Sequence, residues 1–156
     1  MTSRIEQKLE SMGLELPPSR AWASPNRTGA VRLGNLLFVS GHTPPENFKD
    51  YRKYGKVGED MDVDEAHHAA EGCALAMLRS IKDHFGDLDR VLRVGKLLGF
   101  VNSATGFHQQ FAVIDGASNV FHGLWDEQGV HARSAIGAYE LPRGQSVEVE
   151  GVFEVG

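Results

Sequence analysis

The longest hydrophobic pattern in the chain is helical. Ala66, Ala69, Ala70, Cys73, Ala74, Met77, Leu78 and Ile81 form a broad apolar stripe over residues 63–85. Asp62, with Glu65 three residues on, makes an Asx version of the capping box that opens it. The many alanines suit close approach to a sheet. A second helical region runs from Phe107 to Trp125, with Phe111, Ile114, Phe121 and Trp125 as core candidates and Gly116 weakening its middle. A short amphipathic helix over residues 3–12 carries Ile5, Leu9 and Met12, between Ser3 as N-cap and Gly13 as stop.

Between the helices the period changes to that of strands. Val31 to Ser40 predicts a hairpin turning at Gly34-Asn35. Its second arm, Leu36-Leu37-Phe38-Val39, is apolar without alternation, so burial on both faces is expected. Lys96 to Val101 predicts a strand parallel to the first, because a helix connects them. Val130 to Pro142 and Val147 to Val155 read as a hairpin or two closely linked strands. In the latter, Val147, Val149, Phe153 and Val155 share one face, and Glu148, Glu150 and Glu154 the other. Pro17, Pro18 and Pro25 mark a connector, and residues 42–61 a polar surface loop that a site could use as a lid. The order β-β-α-β-α-β-β predicts an α+β architecture: a mixed sheet with two helices packed on one face. A single domain over residues 1–156 is expected, with 1–24 as N-terminal helix and connector.

Composition narrows the function classes. Sixteen Lys and Arg against 21 Asp and Glu give a net charge of −5, which lacks the basic footprint of a nucleic-acid binder. The lone cysteine, Cys73, sits on an apolar helix face and suits a reducing compartment without disulfides. No apolar run reaches the ~18 residues of a membrane helix. Glu6 and Glu10 interrupt the region where a signal peptide would be apolar, so a cytoplasmic location is expected. No GxGxxG, Walker A or CxxC motif occurs. His67 and Glu71, one helical turn apart, lack a third ligand, so no cofactor and no metal are expected.

Two stretches resemble a known family. Ala132-Arg133-Ser134, then Leu141-Pro142 and Val147-Glu148-Val149-Glu150, resemble the C-terminal signature of the Rid (reactive intermediate deaminase) family, also called endoribonuclease L-PSP or YjgF-like. Leu33 to Gly41 looks like that family's first hairpin. Their order, with a long helix between, carries the resemblance over roughly residues 25 to 155. It implies the chorismate-mutase-like fold, a homotrimer with sites in the clefts between subunits, and hydrolysis of enamine or imine intermediates of amino-acid metabolism to 2-oxo acids and ammonia.

Residue by residue, the resemblance implies that Arg133 salt-bridges a substrate carboxylate, a role its guanidinium fork suits. Glu148 would orient or activate water. Ser40 and Gly41 match the pocket wall, and Ala135 stands where backbone groups face the substrate, replacing a cysteine of the best-studied branch. Asp115 stands where that branch has an asparagine, and Arg27 where it has a pocket tyrosine. Two other functions compete: a non-catalytic binding module for a small carboxylate metabolite, and the ribonuclease of the older label. The acidic charge and scattered histidines disfavour the ribonuclease.

Overall fold

The computed structural model describes residues 2–156. A five-stranded sheet, ordered β1-β2-β5-β3-β4, comprises β1 (Ala30–Leu33), β2 (Leu36–His42), β3 (Val91–Asn102), β4 (Ala132–Ala138) and β5 (Val147–Val155). Helices α2 (Val63–Phe85) and α3 (Gln110–Trp125) cover one face, and α1 (Arg4–Ser11) lies beside them. This is the mixed α+β arrangement the patterning predicts.

Local chemistry sets the helix boundaries. Ser3 and Asp62 each accept from a backbone N–H three residues on, while Glu6 and Glu65 reach back to complete both capping boxes. Gly86 ends α2 in the left-handed conformation. The carboxylate of Asp89 accepts from the N–H groups of Arg4 and Ile5, at 2.9 Å each, tying the start of α1 to the turn before β3. Ile5 and Leu9 are buried against the core.

The two helices approach closely because glycines line their contacts. A Cβ on Gly116 of α3 would stand 1.9 Å from the carbonyl oxygen of His67 on α2, so this glycine permits the crossing. On the sheet, a Cβ on Gly99 would meet Ile114 of α3 and one on Gly151 would meet Met77 of α2. Both helices therefore lie on the face that carries Val147, Val149 and Phe153, all fully buried.

Several expectations need correction. The last two strands do not pair with each other: β3 enters between them, parallel to β4 and antiparallel to β5. Strand β3 runs in the same direction as β2, yet β5 separates the two. Both results follow from β5 taking the central position, where its alternating face gains neighbours on each side. Strand β2 is not buried on both faces: Leu37 and Val39 are, whereas Leu36 is 40% and Phe38 42% exposed on the face without helices. Residues 42–61 are not a simple surface loop. Phe48, Tyr51, Val57 and Met61 are buried, and Val57 bridges to Met61 and Ser103. In α3, Phe111 is 58% exposed, against the core role its spacing suggested, while Ile114, Phe121 and Trp125 are buried.

Candidate active site

The seven residues singled out from sequence fall into two groups. Ser40, Gly41, Arg27 and Glu148 line one cavity of about 430 Å3, together with Trp22 and Gln145. Strand register shifts between Val39 and His42, so the backbone at Ser40-Gly41 bulges away from β5. Glu148 fills the space this opens. A Cβ on Gly41 would stand 2.6 Å from its Oε1 and 3.0 Å from its Cδ, so only glycine leaves the carboxylate there. Burial, and then the negative charge of Glu150, push the Glu148 carboxyl up from its ordinary value.

Ser40 is held from two sides. Its Oγ donates to the carbonyl of Thr28 at 2.6 Å and its N–H to that of Gly29. Behind it the His42 ring is buried, with Nδ1 on the Ser40 carbonyl and Nε2 2.7 Å from Ser80 Oγ. Burial holds the His42 pKa down to about 4, so this imidazole is neutral and buttresses the bulge.

Arg133, on β4, belongs to the other group. Its NH1 donates to Asp115 Oδ1 at 2.7 Å and to Ser118 Oγ at 3.1 Å, and NH2 to the Phe111 carbonyl at 3.3 Å. These partners lie on α3, so Arg133 points to the helix side of the sheet. Glu148 alternates with buried Val147 and Val149 and points to the opposite side. One chain therefore does not bring Arg133 and Glu148 together. Asp115 sits on the arginine itself, and Ala135 is half-buried against the core at the register of Gly99.

Other candidate chemistry resolves into packing. His67 Nδ1 bonds the Ala112 carbonyl across the helices at 2.9 Å, and Glu71 accepts from the Tyr51 hydroxyl at 3.0 Å, so the two do not form a metal pair. No group of three metal-ligating side chains occurs among the described residues. Cys73 is fully buried, its thiol is pushed well above its usual pKa by burial, and it is no nucleophile. No helix among the described residues is long and apolar enough to cross a membrane.

Sequence reasoning missed Arg20, Trp22, Arg143 and Gln145 on the Glu148 cavity. Arg20 and Trp22 lie in the proline-marked connector, where periodicity is silent. Arg143 lies in the turn at Pro142-Arg143-Gly144, where neither strand nor helix period says which way its side chain points.

Comparison with known proteins agrees with the fold. The family described as Endoribonuclease L-PSP matches residues 20–155. Protein TCP17 of Trypanosoma cruzi is 37% identical over 155 residues, covering 99% of this chain and 96% of its own. The crystal structure of Atu1372 from Agrobacterium tumefaciens, described as of unknown function, is 41% identical with a TM-score of 0.87, covering 97% of this chain and 93% of its own. A RidA from an Antarctic Psychrobacter shares the fold at 21% identity and a TM-score of 0.54, covering 86% of this chain and 92% of its own. With the family match spanning nearly all of the sheet and both covering helices, the chain belongs to the endoribonuclease L-PSP (Rid) family.

Proposed function

We propose that this protein hydrolyses enamine or imine intermediates of amino-acid metabolism to 2-oxo acids and ammonia, as a homotrimer whose sites are completed between subunits. The observation that carries the reading is the Glu148 carboxylate, half-buried over Gly41 at the wall of an open cavity, with its pKa raised from the ordinary glutamate value by burial. A base so raised is better matched to proton transfer near neutral pH than an ordinary glutamate.

In the reaction, the ionised Glu148 takes a proton from water as its oxygen adds to the imine carbon. The protonated Glu148 then gives that proton to nitrogen, its carboxylate relays the remaining hydroxyl proton to the same nitrogen as the C=O bond forms, the C–N bond breaks, and ammonia leaves with a 2-oxo acid behind. Electrons and protons balance without an oxidant or cofactor. Arg133 holds the substrate carboxylate through its guanidinium fork. Since Arg133 and Glu148 point to opposite sides of one sheet, the site needs Arg133 from one subunit and Glu148 from its neighbour. The open sheet face supports assembly: Val31, Leu36, Phe38 and Ile136 are all 40% or more exposed in the single chain. Each subunit acts as one Rid-like domain, and no nucleic acid, membrane or cofactor has a part in the reaction.

One observation favours a second reading. Asp115 already pairs with Arg133, and a substrate carboxylate must displace it. A protein that only binds a small carboxylate metabolite would tolerate that arrangement without a proton-transfer step. The test is ammonia and 2-oxo acid release from imines generated in situ by an amino-acid oxidase, with wild type and Glu148→Gln. Turnover abolished by the substitution supports the hydrolase. Binding of 2-oxo acids with no turnover of any imine supports the binding module.

A further inference from the structure

The Glu148 cavity is basic in an acidic protein. Arg20, Arg27 and Arg143 all line it, and all three also line the adjoining cavity of about 410 Å3 that reaches to His42 and Ser80. Among the described residues none of the three is paired with a carboxylate, although the chain as a whole has an acidic excess and pairs seven other Lys and Arg side chains. The acidic side chains on the two walls are Glu148 and Glu46, and Glu46 is taken up by the Tyr54 hydroxyl.

Local structure sets two of these arginines, all three of which are exposed. The Arg20 guanidinium lies over the Trp22 ring, 4.7 Å from its centroid. Arg143 adopts φ +60°, a left-handed backbone uncommon outside glycine, in the turn between β4 and β5. A second, independent observation lies between them. Gln145 is 5% exposed, lines both cavities, and its Oε1 is buried without a hydrogen-bond partner among the described residues. A buried acceptor left unpaired is costly unless something donates to it. The cavity thus offers guanidinium groups for an anion, and an unpaired carbonyl oxygen lies buried in its wall.

From this juxtaposition we infer that Arg27 and Arg143, with Arg20, form a subsite for a second anionic group of the substrate, while Gln145 accepts from its nitrogen. The substrate class is an imino dicarboxylate: one carboxylate at Arg133, the imine at Glu148 and Gln145, and a side-chain carboxylate at the arginine cluster. The inference rests on the hydrolase reading for its imine and on the cavity alone for its second anion. Arg133 is already neutralised by Asp115, so the unpaired positive charge that selects substrate lies at Arg20, Arg27 and Arg143.

The test compares kcat/KM for an imine with a side-chain carboxylate against one with an aliphatic side chain, both made in situ by amino-acid oxidases. In Arg27→Gln/Arg143→Gln the acidic-to-aliphatic ratio should fall by about 10- to 100-fold, the effect of losing charge-assisted hydrogen bonds. A ratio equal to that of wild type overturns the subsite. Calorimetric titration of 2-oxoglutarate and 2-oxobutyrate separates this from the hydrolase reading. Wild type should bind 2-oxoglutarate about tenfold or more tightly than 2-oxobutyrate, and the double variant should lose that preference. Should wild type turn over no imine, the hydrolase reading fails while the preference still upholds the subsite. Equal affinities of wild type for the two acids overturn the subsite even if imines are hydrolysed.

Discussion

Replacing Gly41 by alanine separates catalysis from folding. Gly41 does not adopt a positive φ, so alanine fits its backbone, and the new methyl meets only Glu148 within 3.3 Å: Oε1 at 2.6 Å, Cδ at 3.0 Å and Cγ at 3.3 Å. To restore an ordinary contact of 3.4 Å the carboxylate oxygen must retreat by about 0.8 Å. A catalytic group misplaced by about 1 Å costs on the order of 100-fold, so kcat/KM should fall about 10- to 100-fold, or ~1.4 to 2.7 kcal/mol in the activation barrier. Stability should change by less than about 1 kcal/mol, because what moves is the end of a flexible, half-exposed side chain. Imine turnover and urea denaturation on the same preparation read both quantities. A Gly41→Ala protein folded as well as wild type and within about threefold of its kcat/KM refutes the reasoning, because it would show that the position of Glu148 is immaterial.

Other expectations follow from the same geometry. Gly116→Ala, by contrast, should destabilise the fold by about 3 kcal/mol in urea denaturation, since its methyl meets backbone at 1.9 Å and the helices must part. The raised Glu148 carboxyl should set the acid limb of the wild-type pH–rate profile above where an unperturbed glutamate would put it, with turnover rising as the group ionises. Its effect on stability has the opposite sign: the folded state holds the proton more tightly, so stability is fullest below the unfolded pKa and declines as pH rises through the folded one. His42 is the reverse case, being held down to about 4 from an unfolded value of 6.5. Its contribution is complete above pH 6.5 and is lost as pH falls towards 4, by at most ~3 kcal/mol, and His42→Gln should flatten that part of the stability profile.

The sequence was most legible where one face of an element decides its fate. The stripe of α2, its Asp62–Glu65 capping box, the Ser3 N-cap and the Val147–Val155 alternation appear in the structure as read, because burial on one side enforces a period and capping chemistry is local. Strand order was not legible. Nothing in β4 or β5 alone states that β3 will separate them, since pairing depends on which exposed edges meet. The apolar Leu36 and Phe38 suggested a strand covered twice, but a single chain covers only one side. Phe111 fits the helical stripe by spacing, yet it lies in the first turn of α3 with its ring exposed rather than in the core. At the site, Glu148 and Gly41 could be named from the family signature, whereas their contact rests on a bulge that periodicity does not encode. Arg133 was equally legible, but its partner Asp115 comes from a helix whose rotation only packing fixes.

The central claim is that Arg133 and Glu148 of different subunits make one imine-hydrolysing site, and subunit mixing tests it most directly. Arg133→Ala and Glu148→Gln homotrimers should each be inactive in ammonia release from an oxidase-generated imine. Unfolded together in equal amounts and refolded, they should recover roughly a quarter of wild-type activity, because in a three-fold ring every mixed trimer holds one intact Arg133–Glu148 site. Recovery near that level is the predicted result. No recovery from mixed trimers, while refolded wild type is active, would contradict a site shared between subunits.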